Sequence, residues 1–492
     1  MSAIKAKRTE QRYERASRAR DARFDGVFFT AVKTTGIYCR SICPANQPLE
    51  KNVEYHESAV SAAQAGFRPC LRCRPDSAPE SSAWLGTETT FQRALSLIQQ
   101  GALQQGSLVT LADRLGVSDR YIRDLFQKNL GTSPIKYSVY QQCLFAKQLL
   151  HESDLSITEI AYASGFNSVR RFNEAIKQQL GLAPRQIRKS DKRSHGGISL
   201  KLYYRPPYAW QPLMTFLQSR VIPGLEWTEG DTYGRTFTYQ GAVGYFTITA
   251  VPDKHRFDLF INVNNTQCLS QIVQRIRLMF DVDAPIERID DALKTQVGSL
   301  INYQPGLRVP GIWNSFEAGM RAILGQQISV VAARNLVIAM VENLGQKVEF
   351  ANTPAQFLFP EPAAVVDHSL DFFRMPQSRK DTIRRLADYF LENDAAVDTR
   401  QENRSARSSK ASRLQRADNL ERADNIDAWL DIKGIGPWTV NYVKMRASKD
   451  PDIWLVGDAG LKNALKGLDQ TPDLEKTKPW RSYLTLQMWN QL

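Results

Sequence analysis

Apolar side chains recur at helical spacing from Thr90 to about Lys189, broken by short glycine-centred turns. Between residues 198 and 283 the pattern changes to alternation. Ile198-Ser-Leu-Lys-Leu-Tyr-Tyr, Arg235-Thr-Phe-Thr-Tyr, Gly244-Tyr-Phe-Thr-Ile-Thr-Ala and Asp258-Leu-Phe-Ile-Asn-Val read as β-strands of an α+β domain. From about Pro310 helical spacing returns and lasts to the C-terminus. Residues 1–24 are polar and rich in arginine (Arg12, Arg15, Arg18, Arg20, Arg23), a pattern that fits either a helix or a loose arm. Two stretches read as linkers, Asp76-Ser-Ala-Pro-Glu-Ser-Ser and Lys189-Ser-Asp-Lys-Arg-Ser-His-Gly-Gly. Residues 394–425 almost lack large apolar side chains and carry a near-duplicate, Leu414-Gln-Arg-Ala-Asp-Asn and Leu420-Glu-Arg-Ala-Asp-Asn, so a solvated insertion is predicted there.

These changes of pattern predict a multidomain chain, mainly α with α+β parts, in four units: 1–80, 85–190, 197–305 and 306–492. A length of 492 residues agrees with that division. Composition is ordinary for a globular protein, with 42% hydrophobic and 23% charged residues, which excludes collagen, coiled coil and wholesale disorder. No apolar run is long enough to span a bilayer, and the charged start is not followed by an apolar stretch, so the expectation is a cytoplasmic protein without a membrane partner. Net charge is +13 and uneven. Residues 1–190 hold 27 Lys and Arg against 17 Asp and Glu, a net of +10, whereas the rest holds 37 against 34, a net of +3. The first two-fifths is therefore the part that faces a polyanion.

Six cysteines are too few for a disulfide scaffold, but four of them cluster. Cys39-x3-Cys43 and Cys70-x2-Cys73 are separated by 26 residues, the spacing of a tetrahedral four-thiolate site for one Zn²⁺. Cys143 and Cys268 stand alone among apolar neighbours and read as core. The flanking sequences, Phe28-Phe-Thr-Ala-Val-Lys-Thr-Thr-Gly-Ile-Tyr-Cys-Arg and Ala65-Gly-Phe-Arg-Pro-Cys-Leu-Arg-Cys-Arg-Pro-Asp, closely resemble the N-terminal domain of the bacterial adaptive-response (Ada) family. That resemblance implies that Cys39 is a methyl acceptor from methylphosphotriesters in DNA. Zinc-held thiolates stay electron-rich, and methylating one lowers the centre's negative charge and so its repulsion from phosphates. Arg40, Arg68, Arg72 and Arg74 are candidate phosphate contacts. The segment from Ser41 to Pro48 is less basic than the family's version. No Pro-Cys-His-Arg sequence occurs, so removal of methyl groups from guanine O6 is not predicted.

Val109-Thr-Leu-Ala-Asp-Arg-Leu-Gly-Val-Ser-Asp-Arg-Tyr-Ile-Arg-Asp-Leu-Phe has the pattern helix, glycine turn, helix. The pattern recurs 49 residues on, with Ala161 and Gly165 in the places of Ala112 and Gly116. Each unit closes on Gly and Pro: Gly131-Thr-Ser-Pro134 and Gly181-Leu-Ala-Pro184. The duplicated pair resembles the AraC/XylS DNA-binding domain. It implies base contacts from Ser118, Asp119 and Arg120, and from Asn167, Ser168 and Arg170, in successive major-groove segments.

Leu430-Asp-Ile-Lys-Gly-Ile-Gly-Pro-Trp-Thr-Val-Asn-Tyr-Val reads as a helix-hairpin-helix whose Gly434-x-Gly436 turn offers backbone amides to a DNA phosphate. Asp458 follows 22 residues after Gly436; alone it reads as a helix cap. With Arg308-Val-Pro-Gly-Ile-Trp-Asn-Ser-Phe-Glu-Ala-Gly-Met-Arg-Ala-Ile-Leu-Gly-Gln-Gln-Ile-Ser-Val, Met375-Pro-Gln-Ser-Arg and Lys478-Pro-Trp-Arg-Ser-Tyr, the C-terminal half resembles the 3-methyladenine DNA glycosylase II family. The resemblance makes Asp458 the catalytic carboxylate and Trp438, Tyr442 and Trp489 the candidate pocket for a flipped, cationic base. Each ring also fits ordinary core packing. Trp438 stands where bifunctional relatives place a nucleophilic lysine, which implies a monofunctional enzyme. Gln327 or Ile328 would fill the gap left by the flipped base, and the hairpin carbonyls would hold a monovalent cation.

Together these readings describe an alkylation-response protein that senses phosphotriesters, binds damaged and promoter double-stranded DNA and excises alkylated purines, expected as a monomer that meets RNA polymerase. Two alternatives remain at this level: a regulator whose glycosylase half only binds DNA, or an enzyme for which residues 1–190 are a tether.

Overall fold

The computed structural model describes residues 2–57, 59–70, 72–73, 89–188, 196–402 and 426–492. The arginine-rich start is helix α1 (Ser2–Ala19), and Tyr13 from it stacks on Phe28 with centroids 4.4 Å apart. Four short strands follow, β1 (Phe29–Val32), β2 (Ile37–Arg40), β3 (Val53–His56) and β4 (Arg68–Pro69), with α2 (Ala59–Gln64) packed on them. Their order in the sheet is β3-β1-β2-β4. Alternation did not announce these strands: each spans only two to four residues.

The helical region holds α3 (Thr89–Gln99), α4 (Ala102–Gln105), α5 (Leu108–Arg114), α6 (Asp119–Leu130), α7 (Pro134–Glu152), α8 (Ile157–Ala163), α9 (Val169–Leu180) and α10 (Pro184–Ile187). Both predicted helix-turn-helix units are present. Gly116 and Gly165 turn between the paired helices at φ +65° and +82°. Ser107, Ser118, Ser156 and Ser168 each accept a backbone N–H as helix caps. Helix α7 joins the units.

Strand β5 (Ile198–Tyr203) opens the predicted α+β part, followed by α11 (Trp210–Gln218), β6 (Glu226–Glu229), β7 (Thr232–Tyr239), β8 (Ala242–Val251), β9 (Arg256–Val263), α12 (Leu269–Met279) and α13 (Ile286–Val297). The sheet is antiparallel in the order β5-β9-β8-β7-β6. The four alternating runs are all strands; β6 and the three helices are additions. The alternation expected as far as residue 283 ends at Val263. Beyond it, Leu269–Met279 is a helix because its buried positions recur at helical spacing. The sheet's core is continuous with that of the second helix-turn-helix unit, where Leu200 and Leu202 share a cluster with Ala161, Phe172 and Ile176. The predicted linker at 189–197 therefore does not separate two independently packed bodies.

The C-terminal region comprises α14 (Ser315–Leu324), α15 (Val330–Leu344), α16 (Pro362–Val366), α17 (Gln377–Glu402), α18 (Pro437–Arg446), α19 (Ala459–Lys466) and α20 (Arg481–Trp489). The predicted insertion at 394–425 begins inside α17, which continues to Glu402. Residues 403–425 lie outside the described residues.

A buried quartet of charges joins sheet to helices. Arg235 on β7 pairs with Glu317 on α14 at 2.8 Å and with Glu226 at 3.4 Å, while Arg321 reaches Glu226 at 2.9 Å and Glu317 at 2.8 Å. Glu317 is fully buried. Burial pushes its carboxyl up, but Arg235 and Arg321 outweigh that and hold it below the ordinary value. A depressed carboxylate stabilises the fold at pH values above its unfolded pKa of about 4.3 and loses that contribution as pH falls further. Glu317→Gln leaves Arg235 and Arg321 to share the single carboxylate of Glu226 and should cost about 3–5 kcal/mol at neutral pH. The shift of the urea unfolding curve measures this, and it should shrink below about pH 4.

Candidate functional sites

The first site is the cysteine cluster. Cys39 sits on β2, and Cys43 follows in a turn whose N–H bonds the Arg40 carbonyl at 3.2 Å. Cys70 follows β4, with its N–H on the Tyr38 carbonyl at 2.9 Å. The four sulfurs lie within 4.8 Å of one another. Cys70 and Cys73 are buried; Cys39 and Cys43 are half-exposed. So close together, the thiols compete for protons. Hydrogen bonding with Cys43 drives Cys39 up and drives Cys43 down to about 7, while burial drives Cys73 up. A divalent cation removes that conflict, and an all-sulfur donor set of this span suits zinc. The chain holds a zinc-binding cluster of Cys39, Cys43, Cys70 and Cys73.

One expected phosphate contact is overturned. Arg40 is buried in an ion pair with Asp25, with its Nη1 on the Cys73 carbonyl at 3.2 Å. A guanidinium enclosed by these partners cannot face DNA. Arg72 is exposed and Arg68 half-exposed; Arg74 lies outside the described residues.

On the paired helices, Arg120 and Asn167 are exposed, and so is Arg170, which also bonds Glu174 at 3.1 Å. Asp119 is tied to Arg123 at 2.8 Å. The Ser118 and Ser168 hydroxyls are engaged as caps by the N–H groups of Tyr121 and Arg171. A capping serine fixes the start of a recognition helix, so their geometry supports positioning as well as contact.

The second site is a cavity of about 1350 Å³ lined by Asp458, Trp438, Tyr442, Trp489, Gln327 and Ile328, among others. Asp458 is the helix cap that its sequence position suggested, and it also lines the cavity. Its Oδ1 accepts the Leu461 N–H at 2.9 Å and caps α19, while two indoles donate to the same carboxylate: Trp489 Nε1 to Oδ1 at 3.0 Å and Trp438 Nε1 to Oδ2 at 3.2 Å. Trp438 stacks on Tyr442 with centroids 5.2 Å apart. Trp489 lies parallel to Phe216 of α11 at 6.3 Å. The pocket aromatics are thus not mere core filling: they line the cavity, and two of them hold the carboxylate.

Gln326 ties the neighbouring loop to the hairpin, bonding the Gly434 carbonyl at 3.3 Å and Thr439 Oγ1 at 3.2 Å. This leaves Gln327 exposed at the cavity's edge with a left-handed backbone, φ +59°, and Ile328 is 37% exposed beside it. Gly434 has φ +101°, and a Cβ there would lie 2.0 Å from Thr382 Oγ1, so the hairpin turn requires glycine. Gly436 caps α18 ahead of Pro437.

Sequence reasoning missed Phe216, whose ring has the Arg220 guanidinium 3.7 Å away and that of Arg446 4.9 Å away. No periodicity marked it. It also missed Gly460, where a Cβ would press within 3.1 Å of both Asp458 Oδ1 and the Trp489 ring. The Asp-Ala-Gly order was the available signal.

Comparison with known proteins matches three family models: the metal-binding domain of Ada over residues 12–76, a helix-turn-helix domain over 111–190 and the AlkA N-terminal domain over 199–314. DNA-3-methyladenine glycosylase 2 of Escherichia coli is 29% identical over 304 residues, 58% of this chain and 95% of that protein. The Ada bifunctional transcriptional activator/DNA repair enzyme of Escherichia coli is 33% identical over 188 residues, 38% of this chain and 49% of its own length. A Mycobacterium tuberculosis protein described as probable bifunctional transcriptional activator/DNA repair enzyme AlkA is 30% identical over 498 residues, 98% of this chain and 96% of that one. With that match along nearly its whole length, the chain belongs to the family of bifunctional transcriptional activator/DNA repair enzymes of the AlkA type.

Proposed function

We propose that this protein is a monofunctional DNA glycosylase for alkylated purines such as 3-methyladenine, fused to a methylphosphotriester-sensing, promoter-binding activator. The observation that carries the proposal is the Asp458 carboxylate, held by two indole N–H groups on the wall of a cavity large enough to admit a nucleobase. A purine alkylated on a ring nitrogen is cationic once flipped from the stack, and the faces of Trp438, Tyr442 and Trp489 attract it. The bond from C1′ to the base nitrogen breaks, and its electron pair leaves with the base. The sugar becomes oxocarbenium-like, and the negative charge of Asp458 stabilises it. Water then bonds to C1′ and gives up a proton. With Trp438 in place of an amine there is no Schiff base, and the strand stays uncut. Gln327, with Ile328 beside it, fills the space vacated by the base, and the Gly434 and Gly436 turn seats a phosphate, with a monovalent cation at the hairpin carbonyls.

In the N-terminal half Cys39, Cys43, Cys70 and Cys73 hold Zn²⁺, which keeps the thiolates electron-rich. Cys39 is the acceptor: the methyl passes from the triester oxygen to its sulfur, leaving a phosphodiester anion. Arg120, Asn167 and Arg170, on helices started by Ser118 and Ser168, read promoter DNA. The protein acts as a cytoplasmic monomer and recruits RNA polymerase.

Two measurements test this. Asp458→Asn keeps a side chain that can cap α19 but removes the charge, so single-turnover release of 3-methyladenine should fall at least about 100-fold with the melting temperature little changed. Unimpaired release would refute the catalytic assignment, and absence of release even from the wild type would leave only a DNA-binding regulator. Cys39→Ser should end methyl uptake from DNA bearing methylphosphotriesters, seen as loss of the added methyl on the peptide containing residue 39, with base excision unchanged.

A further inference from the structure

The zinc module is bonded directly to the glycosylase half. Arg40, next to the acceptor Cys39, donates its backbone N–H to Cys73 Sγ at 3.3 Å and its Nη1 to the Cys73 carbonyl at 3.2 Å. Its backbone and its guanidinium therefore both hold Cys73, one of the four sulfur ligands. Its charge is balanced by Asp25 inside the protein, where an ion pair is stable only with its remaining groups satisfied. Two residues from outside the module complete that enclosure. The ring of Tyr203, the last residue of β5, lies 4.3 Å from the Arg40 guanidinium. Arg205, fully buried, donates Nε to the Asp25 carbonyl at 2.7 Å and Nη1 to the Asp283 carbonyl at 3.2 Å, while its own carbonyl accepts Arg308 Nη2 at 2.7 Å. From the other side α7 contributes Lys147, whose Nζ reaches the Cys70 carbonyl at 3.3 Å, and Tyr140, whose hydroxyl bonds that of Tyr38. Neither Tyr203 nor Arg205 lines the Asp458 cavity.

We infer that the glycosylase half completes the methyl-accepting centre, with Tyr203 and Arg205 as positioning residues for the four-cysteine site. This rests on the four-thiolate zinc reading given above. The coupling is reciprocal: if β5 stabilises the zinc-bound arrangement, the zinc-bound arrangement stabilises β5 to the same extent. The repair half thereby acts as a clamp on the sensor as well as its cargo.

The test uses the full-length, zinc-loaded protein and follows zinc release to a chromophoric chelator alongside methyl uptake at Cys39. Tyr203→Ala removes the ring over a desolvated guanidinium and should release zinc on the order of tenfold faster, with slower methyl uptake. Tyr203→Phe keeps the ring face and should restore wild-type release. Base excision unchanged in both variants shows that the glycosylase half remains folded. Equal release from Tyr203→Ala and wild type would overturn the inference. Should Tyr203→Ala also lose excision, hydrogen exchange on the wild type decides. Stripping zinc should speed exchange in residues 198–203 and leave 459–466 unaltered, and unchanged exchange in 198–203 overturns the inference. A wild type that carries no zinc would refute the four-thiolate reading itself, a result distinct from either.

Discussion

A charge removed from water must find partners inside the protein, and in this chain buried arginines repeatedly find them on another module. Glu317 of the helical region neutralises Arg235 of the sheet. The guanidinium of Arg308 satisfies carbonyls of Asp281, Ala284, Arg205 and Pro207, gathering two segments around one side chain. Arg205 passes the linkage on to Asp25, which balances Arg40 beside the zinc cluster. Apolar packing works in the same direction, since the second helix-turn-helix unit shares its core with the glycosylase sheet. Apolar packing tolerates small slips between elements; paired buried charges do not, because a displaced partner leaves an uncompensated ion. These arginines therefore fix how the modules meet.

The same economy governs the Asp458 carboxylate. Asp458 begins α19, so the N–H of Leu461 fixes one of its oxygens by backbone geometry. The indoles of Trp489 and Trp438 then hold the carboxylate from the cavity side. A carboxylate that accepts from three donors has little freedom left to lose, so its negative charge is held in place on the cavity wall. Gly460 suits this arrangement, because a Cβ there would press within 3.1 Å of both Asp458 Oδ1 and the Trp489 ring.

What was legible in the sequence was local. Cys39-x3-Cys43 and Cys70-x2-Cys73, the paired glycine turns at Gly116 and Gly165, and the hairpin at Gly434 each need residues close together in the chain, and each has its predicted form. Four of the five strands from Ile198 to Val263 were legible because their sequences alternate, and in β5 and β9 burial alternates with them. What escaped depends on partners far apart. Arg235 meets Glu317 across 82 positions, and Arg205 meets Asp25 across 180. Phe216 enters the cavity from a helix whose apolar residues give no hint that one of them faces a ligand. Arg40 was misread for the same reason: beside a reactive cysteine a basic residue suggests a phosphate contact, and only the fold reveals Asp25 behind it.

The burial of Arg40 changes where DNA affinity must come from. With that guanidinium neutralised inside the protein and the segment from Ser41 to Pro48 devoid of basic residues, phosphates near Cys39 must be met by other side chains, of which Arg72 is exposed, Arg68 half-exposed, and Arg20 exposed with its guanidinium 3.2 Å from the Ala45 carbonyl. The paired helices add the exposed Arg120 and Arg170, and each phosphate contact adds to affinity and to its salt dependence. In the proposed methyl uptake a zinc-bound thiolate would lose one negative charge, which lowers the repulsion between that centre and phosphates and suits a site that reports damage by changing how well it tolerates DNA.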